Sequence, residues 1–208
     1  MRSYLGFAFS LLLVGCASDS MRDGSSKLPD ITLPFDDHGR VKACSWYCGA
    51  PPITVTASST LRDGIYSYEP ANIHDWKKST VWAEGAPGPG IGTTVTFTFD
   101  CTGERYRNRK GEPTGIDSIS LINGFARTPE LWAANGRVKT FKVTFNGAPK
   151  GTFTVQDTAS HQNVKLPDLT FPFGRKSQLV LEITDVYPGT THEDTCIADI
   201  MFDGFGDH

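Results

Sequence analysis

Two short stretches of the chain concentrate the side chains able to do chemistry. "NIHDWKKSTVWAEGAPGPGIG", residues 72–92, holds Asp75, two tryptophans, Thr80 and Glu84, and "THEDTC", residues 191–196, sets His192, Glu193, Asp194 and Cys196 together. An acid pair such as Glu84 and Asp194 has the residue types of a glycosidase, in which one carboxyl protonates the leaving oxygen and the other acts as nucleophile or base. A cysteine near a histidine has the types of a nucleophilic hydrolase, provided that the thiol is accessible and its pKa is lowered. Cys196, however, opens an alternating strand run. The chain contains no G-x-S-x-G, H-E-x-x-H or G-x-x-x-x-G-K-[ST] pattern, so serine hydrolase, zinc protease and P-loop chemistry lack their sequence signatures. No catalytic residue and no organic cofactor is assigned.

A sugar site asks for different residues. Sugars offer a flat C–H face and a rim of hydroxyls, matched by an exposed aromatic ring and several planar hydrogen-bonding groups. Trp76, Trp82, Glu84, Asn123, Arg127, Trp132, Asn135 and Arg137 are of these types and fall mostly in turn-like segments. Trp82, directly before the Ala83-Glu84-Gly85 turn, is expected in the core. Trp76 and Trp132, flanked by polar or loop residues, are expected to form the platform. Glu84, Asn123, Arg127, Arg137 and Asp194 are expected to contact hydroxyls, carried by loops 72–92, 123–137 and 187–195.

Those loops need a scaffold, and the apolar residues beyond Ile53 alternate with period two. The runs include Val55 and Ala57; Val95, Phe97 and Phe99; Ile119 and Leu121; Phe141, Val143 and Phe145; Phe153 and Val155; Leu179, Leu181 and Ile183; and Ile197 to Phe202. Short strands at regular spacing, with no long amphipathic helix, predict one antiparallel β-sandwich domain. "FNGAPKG", residues 145–151, predicts a tight hairpin, because Asn146-Gly147 can adopt positive φ angles. "GERYRNRKGEP", residues 103–113, reads as a solvated basic loop around Tyr106.

The N-terminus carries an address. Arg2 and the apolar run "YLGFAFSLLLVG" lead to Cys16, and the run is too short to span a bilayer. Leu13, Val14, Gly15 and Cys16 resemble a bacterial lipobox, which implies a signal peptide over residues 1–15 and lipidation of Cys16. Ala17 in place of an aspartate favours the outer over the inner membrane. Residues 16–42 read as the lipidated cysteine and a flexible tether, rich in Ser, Asp, Gly and Pro. Loss of residues 1–15 removes only Arg2 from the charged set and takes the net charge from −3 to −4, which argues against nucleic acid as a partner. Cys44, Cys48, Cys101 and Cys196 then remain, and four cysteines in an exported chain read as two disulfides in one of three pairings.

The wider pattern resembles a known family. "YEPANIHDWKKSTVWAEG" with "GPGIG", then "SISLINGFARTPELWAANGRVKTFKVTFNG", then "LVLEITDVYPGTTHEDTCIADIMFDG" are similar to the discoidin-like (F5/8 type C-like) glycan-binding domain found beside bacterial NAD-glycohydrolases. The resemblance runs from about Cys44, with "ACSWYCG" as a lead-in, and places the domain at residues 43–208. It implies a galactose-binding-like jelly-roll β-sandwich that binds glycan through loops at one end, without NAD cleavage. It also implies disulfides Cys44–Cys48 and Cys101–Cys196. Many such sandwiches hold a structural calcium, and Asp75, Thr80 and Asp199 stand at the matching positions. Trp76 and Lys77 depart from that pattern, and calcium asks for six to eight oxygens, so the other reading makes Asp75 a loop-capping acceptor. The function expected is a lipid-anchored, non-enzymatic carbohydrate-binding protein of the bacterial envelope. The alternative is a protein-interaction or structural module on the same fold.

Overall fold

The computed structural model describes residues 52–103 and 113–205. Cys16, the signal peptide, the tether, the Cys44–Cys48 pair and most of the basic loop around Tyr106 lie outside the described residues. Among the described residues eleven strands form, in order β1 (Thr54–Ala57), β2 (Arg62–Asp63), β3 (Tyr66–Ser67), β4 (Trp82–Ala83), β5 (Thr94–Asp100), β6 (Gly115–Asn123), β7 (Gly136–Phe145), β8 (Ala148–Thr154), β9 (Gln162–Thr170), β10 (Lys176–Tyr187) and β11 (Thr195–Phe205). A 3-10 helix (Pro70–His74) precedes β4, and a short helix α1 (Pro129–Ala134) links β6 to β7.

The sandwich has two halves. β1, β5, β10, β7 and β8 make one antiparallel sheet; β4, β11, β6 and β9 make the other. The halves join where β11 runs parallel to β7 for only two residue pairs, Thr195 to Gly136 and Cys196 to Arg137. Alternation decides which side chains turn inward: in β5 Val95, Phe97 and Phe99 are buried while their neighbours are half-buried. Phe97 from one sheet meets Phe202 from the other edge to face, with centroids 4.8 Å apart, an arrangement that aromatic pairs favour. Trp82 is fully buried in the same core, its indole N–H donating to the Ser59 carbonyl at 3.2 Å, as expected. Asn146 and Gly147 take φ values of 48° and 79° between β7 and β8, the paired positive angles of a tight hairpin.

The expected Cys101–Cys196 bridge does not form. Cys101 follows β5 at the end where Asp100 pairs with Lys176, whereas Cys196 pairs with Arg137 at the end where Arg137 meets Tyr187. Those ends are separated by nearly the length of β10, roughly 30 Å at about 3.3 Å per residue, and a disulfide needs Cα atoms within about 7 Å. Cys101 is a buried thiol, with its pKa pushed up to about 11 by burial.

Candidate functional site

The three expected loops do meet at one end of the sandwich. The amides of Thr191 and His192 donate to the Ala134 carbonyl, Gly136 donates to Asp194, and Glu84 donates to Thr195. Thr195 Oγ1 donates to the Pro89 carbonyl at 2.9 Å, tying the Gly-Pro loop to β11. This junction consumes most of the polar residues expected to face a sugar.

Asn123 is fully buried, because β6 extends through it. Its Nδ2 donates to Val138 O at 2.7 Å and its Oδ1 accepts from Val138 N at 3.1 Å, so it replaces a ladder contact between strands. Arg137 belongs to β7, and its side chain is also buried. Its guanidinium forms a two-pronged pair with Asp157 at 3.0 and 2.9 Å and donates to the carbonyls of Asn135 and Pro188. Four of its five N–H donors are therefore committed within the protein. Trp132 is half-buried: its indole N–H donates to Asn123 O at 2.9 Å, and its ring lies under the Arg137 guanidinium. Asn135 is buried and donates to Leu131 O.

Glu84 and Asp194 are buried as well, which corrects their expected role as hydroxyl contacts. Glu84 Oε2 accepts from Ala86 N at 2.7 Å, while Oε1 has no partner. The loop lies directly over it: a Cβ on Gly90, where φ is +74°, would sit 2.4 Å from Glu84 Cγ. Burial first, with the nearby Asp194 charge adding, pushes the Glu84 pKa up to about 7. Burial and then the Glu193 charge raise Asp194 to about 6. Glu84, Asp194 and Cys196 are thus all buried, Glu84 beneath the Gly90 loop, and none presents its side chain on the surface.

Asp75 caps its loop. It accepts from the Thr80 hydroxyl at 2.8 and 2.9 Å and from Lys77 N at 3.0 Å, and the Lys77 ammonium stands 3.9 Å away. These bonds brace Trp76, which takes a left-handed φ of 66° and packs half-buried against His74. Asp199 is 1% exposed, and neither of its carboxylate oxygens accepts a well-formed hydrogen bond. Burial, and then the Asp75 charge, push its pKa up to about 7. As a calcium site the set fits poorly. Both Asp75 oxygens already hold the turn, and the Lys77 ammonium beside them opposes a second cation.

A cleft of about 120 Å³ opens to solvent beside the junction, lined by Tyr66, Tyr68, Ser79, Phe125, Arg127 and Leu131 among others. Its walls are fixed. Asn72 Nδ2 donates to both Ser67 O and Val81 O, and Thr128 caps α1 by accepting from Leu131 N. Tyr66 is 42% exposed, with its ring centroid 6.5 Å from that of Tyr68. Arg127 is exposed and has no ion-pair or hydrogen-bond partner among the described residues. Aromatic faces, hydroxyls and an uncommitted guanidinium thus line one hollow. Of the expected sugar contacts only Arg127 is in it; Tyr66, Tyr68 and Phe125 were not anticipated. The signal available was "YSY", residues 66–68, a tyrosine pair at a spacing that puts both rings on one side of an extended segment.

Residues 46–203 match the family model of the NAD glycohydrolase translocation F5/8 type C domain. No curated protein matches the chain. Solved structures of similar outline include a putative chitobiase fragment from Bacteroides thetaiotaomicron, 16% identical, with a TM-score of 0.49 over 78% of this chain and 93% of that one. A family 32 carbohydrate-binding module from Clostridium perfringens, solved with GalNAc-β-1,3-galactose, is 15% identical, with a TM-score of 0.47 over 74% and 94% of the two chains. Another from the same organism, solved with galactose, is 13% identical, with a TM-score of 0.46 over 74% and 98%.

Proposed function

This chain belongs to the NAD glycohydrolase translocation F5/8 type C domain family, and from that premise we propose that it is a lipid-anchored, non-enzymatic carbohydrate-binding protein of the bacterial envelope. The observation that carries the reading is the Arg127 cleft. Its exposed Tyr66 ring, backed by the buried Tyr68, can stack on the C–H face of a sugar ring, and its guanidinium can bridge adjacent hydroxyls with parallel N–H donors. The walls are held by backbone-directed hydrogen bonds, so little ordering entropy is lost on binding. The burial of Glu84, Asp194 and Cys196 supports binding without turnover.

Attachment through Cys16 completes the proposal, with the tether of residues 16–42 giving the domain reach and Ala17 favouring the outer membrane. Two or more acyl chains anchor firmly, at ~0.8 kcal/mol per buried methylene, and copies sharing one surface turn weak single sites into avid ones. Two experiments test this. Labelled palmitate enters the wild type and not Cys16→Ser if the cysteine is lipidated. The soluble Cys16→Ser chain, applied to an array of host and bacterial glycans, binds a definable subset. A folded protein that binds no glycan on the array removes the carbohydrate claim.

A further inference from the structure

A second hollow, of about 470 Å³, opens between the end of β8 and the start of β9, and it shares no lining residue with the Arg127 cleft. Its volume lies within the roughly 300–1,000 Å³ typical of small-molecule sites. Thr154, Gln156, Thr158, Ser160, His161 and Gln162 form most of its wall, and none of its lining residues is acidic, Lys or Arg.

The segment that shapes it is built rather than loose. Gln156 N donates to Gln162 Oε1 at 2.7 Å, and Gln162 Nε2 donates back to Gln156 O at 2.9 Å. Val155 N donates to Lys139 O, the Tyr187 hydroxyl donates to Val155 O, and Asp157 is gripped by Arg137. The Arg137 pair thus reaches from the loop junction to hold this wall. Within it His161 Nε2 is buried and has no hydrogen-bond partner; burial lowers the ring's pKa, which favours the neutral imidazole. A neutral ring nitrogen can donate to or accept from a hydroxyl.

We propose that this hollow is a second binding site, for an uncharged polyhydroxyl ligand such as a neutral sugar residue, with His161 and Thr158 as its contacts. A carboxylate or ammonium ligand would find no counter-charge in its wall. Hydroxyls can pair with the threonine and serine side chains, and with the imidazole nitrogen once the His161 ring turns its buried Nε2 toward the hollow.

The test is an NMR titration of the full Cys16→Ser chain, labelled at histidine and glutamine, with galactose, glucose and N-acetylglucosamine in turn. At least one sugar should give saturable shifts at the His161 ring and at the Gln156 and Gln162 side-chain amides. These shifts should survive Arg127→Ala, which empties the first cleft, and be lost in both His161→Phe and Thr158→Val. No saturable shift at His161 with any of the three sugars overturns the proposal, as does persistence of the shifts in Thr158→Val with the fold intact. Loss of the shifts in Arg127→Ala would assign them to the first cleft and overturn it equally. Glycan binding that depends on Arg127, with His161 silent, leaves the Arg127 reading standing and this one refuted.

Discussion

The guanidinium carbon of Arg137 sits 4.5 Å from the centre of the Trp132 ring, and this contact turns an expected platform ring and an expected hydroxyl contact toward each other. The arginine also closes on Asp157 and on two carbonyls. It works as a rivet between β7, the Pro188 turn and the β8–β9 connection.

Arg137→Ala should therefore act on stability. It removes the pair with the exposed Asp157, leaves two carbonyl acceptors without that donor and uncovers one face of Trp132, a loss of about 2 kcal/mol. Denaturant unfolding should show that loss, and Arg137→Lys, which cannot make the two-pronged pair, should recover less than half of it.

Asn123→Ala should cost about 2–3 kcal/mol, because the amide and carbonyl of Val138 both lose buried partners. The same denaturant measurement checks it. Asn123→Asp should fare no better, since a carboxylate cannot donate to Val138 O.

The buried acids set a pH dependence. Glu84 and Asp199 have folded pKa values raised to about 7 and Asp194 to about 6. Raised values mean that the folded state holds more protons than the unfolded one, so the slope of stability with pH is negative. Their contribution is full below the unfolded carboxyl range near 4, is lost as pH climbs to about 7, and is level beyond. For Glu84 alone the change is on the order of 3 kcal/mol. Thermal melts at pH 5 and pH 8 should show a higher Tm at pH 5, and Glu84→Gln should shrink the difference.

Calcium provides a separate check on Asp199. With Asp75 already capping its turn beside Lys77, Asp199, its pKa raised to about 7 by burial and the Asp75 charge, is mostly ionised at pH 8 and destabilises the fold there. Added calcium should leave the Tm at pH 8 unchanged, while Asp199→Asn should raise it. A calcium-dependent rise in Tm that Asp199→Asn abolishes would assign the pair to a metal.

The strands were legible wherever one face is buried, because alternation reports burial directly; β5 and the β7–β8 hairpin are the clearest cases. β9 was missed, since "QNVKLPDLT" lies at a sheet edge, is buried only at Leu166 and Leu169, and contains a proline. The polar junction was misread for a related reason. Alternation does not reveal where a strand ends, so Asn123 and Arg137 were placed in loops although they are strand residues that bond backbone. Burial of Glu84 depends on the Gly-Pro loop folding over it, a tertiary event that local sequence does not encode. Likewise, Cys101 and Cys196 could be paired on paper because sequence does not show that they lie at opposite ends of the sandwich.

The central claim is that Arg127 and the tyrosines beside it bind a glycan. Calorimetric titration of the Cys16→Ser chain with the best ligand from the array, repeated in the Arg127→Ala and Tyr66→Ala backgrounds, tests it most directly. Both variants should lose at least about tenfold in affinity, ~1.4 kcal/mol, with Tm unchanged, because both side chains are exposed and neither braces the core. Wild-type affinity in both variants would contradict the account.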